Sequence, residues 1–357
     1  MKTFDERLIA NLFKYGFNPE EHIDIFSSPI FWKIETIKDV TQKNFVDLLK
    51  NRFWETVQTL NNLSSSTWKQ IVLALSGWID SLLIFKLLDK YNIKFTPVNI
   101  SYSEWFNEIH NVKKYLWDSH VEFKEYNIYN SLNNLNKIDF QYIVAHPTLL
   151  SYYNLISSVK DNSILVTWDL ADEIFWFEPK SISDEIIFSQ NELKKILSIE
   201  PYSESIDKQI SWINEQDKDI RLWYNNITYK MIKNCLIGKN VEYFPFFANF
   251  YDLFPEINKF WLRNEWKDFL KWYMSELFWI NYNEKKVWFK FPALENVLKE
   301  YYDYIIRNNN VDWLKINIEY LDNVIMNQDI KVKRWKLFVI VVLLHLLHSN
   351  DPRLFLN

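Results

Sequence analysis

"QIVLALSGWIDSLLIFKLL", residues 70–88, decides the fold. It opens as an apolar run, passes through the small polar turn Ser76-Gly77-Trp78-Ile79-Asp80-Ser81, and closes on apolar side chains at three-four spacing. An apolar run bounded by turn residues reads as a strand, and three-four spacing reads as an amphipathic helix. A strand feeding a helix through a small-residue turn aims backbone N–H groups at the turn, the arrangement that cradles phosphate. Tryptophan is out of place at the centre of such a turn, because its bulk stands where backbone and ligand must approach.

The same alternation continues outward. The spacing predicts strands at 70–75, 95–100, 121–126 and 163–167, with helices at 79–91, 104–118 and about 148–159 between them. Strands alternating with helices imply right-handed crossovers and a largely parallel sheet. Residues 1–66 read as a mostly helical segment, with "KNFVDLLKNRFWETVQTLNNL" in helical register and "NNLSSST", 61–67, as a polar loop. Beyond about 185 strand signals fade and helical patterns run to 350. The expected architecture is α/β: a helical connecting segment at 1–66, a parallel-sheet nucleotide-binding core at 67–185, and a mostly helical region at 186–357 that completes the site.

Composition narrows the class. Of 357 residues, 48% are hydrophobic and 24% charged, with a formal net charge of -5. No basic surface points to nucleic acid and no charge block reads as a tail. The single cysteine, Cys235, excludes an internal disulfide framework and a multi-cysteine zinc site. The amino terminus lacks a signal-peptide pattern, and the apolar run "LFVIVVLLHLL" is too short to span a bilayer, so the expectation is cytoplasmic with no membrane partner. Glycine is abnormal: the chain has 3 where average usage gives roughly 25, against 17 tryptophans.

Ligands on doubly wound sheets sit outside the carboxyl ends of the strands. Two polar turns fall there, Ser76 to Ser81 and Thr167 to Glu173. Each brings a carboxylate just after a strand: Asp80 in the first, Asp169 and Asp172 in the second. Aspartates converging from neighbouring strands can hold Mg²⁺, which prefers oxygen ligands and bridges to substrate phosphates.

These residues also resemble a family. "LSGWIDS" is similar to the SGGxDS loop of ATP-dependent adenylating enzymes, and "VTWDLADEIFWFEP" to the TG(D/E)GADExFGGY motif of asparagine synthetases. "KMIKNCLIGKNVEYFPFFANF", 230–250, resembles their VExRxPFLD segment, and "NEKKVWFKFPALENVLKE", 283–300, their KxGFxxP segment. The four motifs keep the family order across roughly residues 25–305. The resemblance implies an adenine nucleotide alpha hydrolase-like core and an ATP- and Mg²⁺-dependent ligase. Such a ligase adenylates a small-molecule carboxylate, releases pyrophosphate and transfers an amine. Trp78, Trp168, Trp176 and Trp288 all stand where the family has glycine. One cause would account for all four: UGA codons read as glycine in the source organism and rendered here as tryptophan. A tryptophan-rich core is the alternative at other positions, such as Trp266 and Trp272.

By this resemblance Ser76, Gly77, position 78 and Ser81 would cradle pyrophosphate, and Asp80 and Asp172 would bind Mg²⁺. Ala74, Val98, Thr167 and position 168 would line the adenosine pocket. Lys286 would stabilise charge on the phosphates, Asp169 and Glu173 would shape the acceptor side, and Glu242 would take the second-segment glutamate. Each has a plainer reading. Asp80 could cap the helix, Asp172 and Glu173 could open a solvated helix, and Glu242 could be a structural hydrogen-bonding residue. Lys286 lies in a charge run where Lys285 is a rival. His345 and His348 read as core or cap residues, His146 as a helix opener, and Cys235 as buried.

Departures cluster on the acceptor side. Leu170 and Phe177 replace glycines, Phe244 the arginine and Ala248 the aspartate of the family pattern. On this resemblance the expectation is a synthetase without the amino-terminal glutaminase domain of complete members, since residues 1–35 resemble the segment that follows it. The amine donor would be ammonia, free or from a separate glutaminase subunit, or a substrate amine as in cyclising relatives. A non-catalytic binding or regulatory subunit is the alternative function, with other ATP pyrophosphatases as a third.

Overall fold

The structure, a computed structural model, describes residues 12–13, 41–102, 109–116, 120–127, 131, 141–142, 144, 146, 148–175, 194–196, 228–260, 262, 267–284, 299–300, 302–307, 316–326 and 340–341. Helix α1 (Gln42–Thr67) leads into strand β1 (Gln70–Ala74), helix α2 (Ile79–Lys90) and strand β2 (Phe95–Tyr102). Helix α3 (Ile109–Tyr115), strand β3 (Glu122–Tyr126), helix α4 (Thr148–Ser158) and strand β4 (Ser163–Thr167) follow. Then come helix α5 (Ala171–Phe175), helix α6 (Tyr229–Leu236) and strand β5 (Val241–Pro245). A 3₁₀ helix over Phe246–Leu253 precedes α7 (Phe254–Lys259), α8 (Asp268–Phe278) and α9 (Ile318–Met326).

The five strands form one all-parallel sheet in the order β3-β2-β1-β4-β5. Chain direction across the sheet reverses between β1 and β4, which makes that pair the topological switch point of a doubly wound α/β core. The reason these two are central is visible in their side chains. β4 is buried throughout and β1 at all but its first residue, the continuous apolar run of a strand covered on both faces. β3 and β5 are the edges; no residue of β3 is buried, and its Glu122, Lys124 and Glu125 are charges that discourage edge pairing.

Two segments differ from the expectation. "NNLSSST" is the last part of α1 rather than a loop. Thr67 Oγ1 donates to the Leu63 carbonyl at 2.6 Å and Ser66 Oγ to the same carbonyl at 3.1 Å, so the hydroxyls bond back into the helix they were expected to end. The sheet also reaches past 185, because "VEYFP" pairs with β4 from Ser163↔Val241 to Thr167↔Pro245. Its five residues, wedged between a helix and an aromatic 3₁₀ turn, carry too little alternation to announce a strand.

Aromatic packing ties α1 to the region beyond the sheet. Phe45, Leu49, Phe53, Val57 and Leu60 recur on one face of α1 and are fully buried. The ring of Phe53 lies 4.5 Å from that of Phe250 and 4.9 Å from that of Tyr273. Beside it the buried Arg52 donates to the Asn249 carbonyl at 2.5 Å and to Asp252 Oδ1 at 2.8 Å. Among the described residues, no helix is long and apolar enough to cross a membrane.

Candidate functional site

Leu73 is level with Val166 in the sheet, so β1 and β4 release their chains side by side at the switch point. The β1 turn is pinned from several directions. Leu75 donates its N–H to the Val98 carbonyl at 2.8 Å, and Asn99 Nδ2 donates to the Leu75 carbonyl at 2.7 Å. Ser81 Oγ accepts from the Ser76 N–H at 3.1 Å, lies 3.1 Å from Ser76 Oγ and donates to the Trp78 carbonyl at 3.2 Å. The two serines therefore lace the turn shut from within. Gly77 takes φ +80°, the left-handed conformation glycine adopts without steric cost. Trp78 is the N-cap of α2 at φ -84° and ψ 159°, ordinary extended backbone, with its indole buried. At position 78 the objection to tryptophan is therefore size rather than strain.

Asp80, in the first turn of α2, and Asp172, in the first turn of α5, come together on one nitrogen. Lys267 Nζ lies 2.5 Å from Asp80 Oδ2 and also contacts Asp172 Oδ1. The side chains of Lys267 and Asp80 are each only 6% exposed, while that of Asp172 is 40% exposed. Burial works against the ammonium charge, but Asp172 and Asp80 outweigh it and hold the group above the usual lysine range. Lys267 is the N-cap of α8 at φ +50°, a left-handed conformation that costs a non-glycine residue on the order of 1–3 kcal/mol. Sequence reading missed this lysine. Its visible signal is a cation at the start of a helix, where the macrodipole disfavours it.

Asp169 is held apart from that trio. Its Oδ1 accepts from Tyr152 Oη at 2.5 Å, and its Oδ2 accepts from Thr167 Oγ1 at 2.5 Å and Tyr243 Oη at 2.7 Å. Burial lifts its carboxyl above the usual range against the pull of these three hydroxyls, with some repulsion from Asp172. Glu173 is pushed up to about 7, by burial first and then by repulsion from Asp172 and Asp169. Tyr152 and Tyr243 are further residues that the motifs did not reveal. Strand alternation is the signal for Tyr243, since residues 241, 243 and 245 share one face of β5.

The structure thus gathers Ser76, Gly77, Trp78, Asp80, Ser81, Thr167, Trp168, Asp169, Asp172 and Glu173 at one sheet edge. Ala74 and Val98 are level with each other just behind it. Glu242 is a correction. It is level with Ile164, near the amino end of β4, and pairs with Lys69 at 3.3 Å just before β1 begins. That places it three strand residues, roughly 10 Å, back from the carboxyl edge. Phe244 and Ala248 are buried core residues. Cys235 is buried and its thiol is pushed up to about 12, as an inert core residue requires. Lys285, Lys286, Trp176, Phe177, Trp266, Trp288, His345 and His348 lie outside the described residues.

Two carboxylates that share one cation can hold another, and carboxylate oxygen is the donor Mg²⁺ prefers. Among the described residues no group of three or more His, Cys, Asp or Glu side chains is built as a metal cage. A divalent ion held here would therefore take its remaining ligands from phosphate and water, as Mg²⁺ commonly does. The chain matches no known family model, and no curated protein gives a significant match to it.

Proposed function

We propose that the chain is an ATP-dependent amide-forming ligase that adenylates a small carboxylate, releases pyrophosphate and transfers an amine to the acyl group. The observation that carries this reading is the convergence of Asp80 and Asp172, from the two turns at the switch point, on a single cationic nitrogen. Adenylation brings an anionic carboxylate against an anionic α-phosphate, so the site must supply positive charge aligned in advance. Lys267 supplies one such charge on a strained, buried backbone that fixes its position. Asp80 and Asp172 would hold Mg²⁺, which when bound neutralises phosphate charge.

The remaining residues orient and exclude. Ser76 and Ser81 keep the β1 turn closed so that its backbone presents a fixed surface to the phosphates. Ala74, Val98 and Thr167 give the adenosine side a small, dry wall. Glu173, ionising near 7, can take a proton from an incoming ammonium or amine. Asp169, satisfied by three hydroxyls, holds the β4 turn in shape. Lys286 would add a second charge to the phosphates.

The test incubates the chain, carrying glycine at position 78, with Mg²⁺, ATP and a panel of small carboxylates including aspartate, with ammonia as amine. Pyrophosphate and AMP should form in equal amounts with at least one acid. Asp80→Asn and Asp172→Asn should each abolish them. A non-catalytic binding subunit is the second reading, favoured by the lysine already seated between the two carboxylates. ATP binding with no pyrophosphate released in the presence of any of the acids would establish it.

A further inference from the structure

Among the described residues, eight have φ in the left-handed region: Gly77, Gly238, Asn92, Asn162, Leu170, Lys267, Trp68 and Trp279. Glycine adopts this region freely and asparagine tolerates it, whereas for a bulky side chain it is a genuine outlier. Both described glycines are there, at φ +80° and +74°. So are two of the six described tryptophans, Trp68 at φ +56° and Trp279 at φ +58°.

Their positions are equally telling. Trp68 ends α1 and Trp279 ends α8, each as the left-handed residue after the last helical turn. The N–H of Trp279 donates back to the Ser275 carbonyl at 3.0 Å. Left-handed residues closing helices this way are usually glycine, occasionally asparagine. Neither indole gains packing in return: Trp68 is 87% exposed and Trp279 92%. Trp54 and Trp272, in the interiors of α1 and α8, have ordinary helical backbone and are about half as exposed, at 41% and 44%. Strain and exposure therefore coincide at the two helix caps and separate elsewhere.

We propose that positions 68 and 279 are glycine in the natural polypeptide, encoded by UGA read as glycine, and that position 78 shares this origin. The caps lie outside every motif, so they carry the inference independently of the ligase reading. They also restore sense to the composition, since 17 tryptophans and 3 glycines together approach an ordinary glycine content. At position 78 the consequence is functional. A glycine after Gly77 removes the buried indole and opens the β1 turn to close approach by a phosphate.

Three measurements test it, and none depends on catalysis. The gene should carry UGA at codons 68, 78 and 279, and peptides of the protein isolated from its own cells should have glycine masses there. A UGG codon, or an indole-containing peptide, at 68 or 279 overturns the proposal. In the recombinant chain, Trp68→Gly and Trp279→Gly should each lower the ratio of unfolded to folded protein roughly five-fold, while Trp272→Gly in a helix interior should raise it. Loss of stability in both cap variants would show that the caps are not built for glycine, and overturns it likewise.

Discussion

Lys267 joins the two carboxylates of the candidate site through one side chain. Replacing it with methionine leaves Asp80 and Asp172 facing each other without their shared countercharge, and breaking a buried pair from one side typically costs about 3–5 kcal/mol. Lys267→Met should therefore lower the melting temperature, and added Mg²⁺ should raise it again by more than it raises the unaltered chain. A thermal-shift titration with Mg²⁺ measures both. Equal Mg²⁺ shifts in the two proteins would show that the carboxylates do not form a divalent-cation site. Glu173 makes a second residue-scale prediction. Its folded pKa, about 7, lies above that of an ordinary glutamate, so between those values the folded state holds more protons than the unfolded one. Stability from this group is complete below the unfolded pKa and is lost as pH rises through about 7. Glu173→Gln should flatten that fall in a series of denaturant midpoints from pH 5 to 8. An unchanged slope would mean that Glu173 titrates as in water.

At the level of elements, sequence reading and structure agree where side-chain period and burial coincide. β1, α2, β2, β4 and α4 follow the expected ranges within a residue or two, because each is an apolar stretch of strand or helix length bounded by polar or turn residues. The two carboxylates at the switch point were legible for the same reason, each lying directly after a strand that could be recognised. What was hidden depended on distant partners. Lys267 carries no motif and acquires its role only when α8 docks on α2. Tyr243 is read only once β5 is known to be a strand, and Glu242 is misplaced until its register is known. α1 illustrates the same dependence energetically, since its Phe53 packs on the 3₁₀ helix and on α8, far away in sequence. Phe53→Ala should cost roughly 3–5 kcal/mol, the usual range for emptying a buried aromatic site. Chemical denaturation would check this, and a loss below about 1 kcal/mol would mean that the cluster closes over the gap.

Across the whole molecule, the region that follows the sheet in sequence returns to cover the β1 turn. Tyr282 Oη donates to the Gly77 carbonyl at 3.4 Å, and its ring lies 5.1 Å from that of Tyr115 on α3. Glu284 then accepts from Lys114 Nζ at 2.5 Å and Tyr115 Oη at 2.9 Å, and these donors hold its carboxyl below the usual range. Residues 282–284 are thus tethered between the β1 turn and α3, immediately before Lys286 in sequence. If Lys286 serves the phosphates, this tether is what delivers it. The Lys114–Glu284 pair is solvent-exposed, and exposed pairs contribute little to stability. Glu284→Gln weakens the tether without disturbing the core, so its melting temperature should stay close to that of the parent chain. On the proposed ligase reading, its rate of carboxylate-dependent pyrophosphate release should nevertheless fall, by up to about a hundred-fold if the lysine is displaced by about 1 Å. On the proposed reading the KM for ATP should move less than kcat, because the β1 turn that would cradle the nucleotide is pinned separately by Asn99 and Ser81. A variant that melts normally and releases pyrophosphate at the parental rate would detach the 282–284 segment from catalysis.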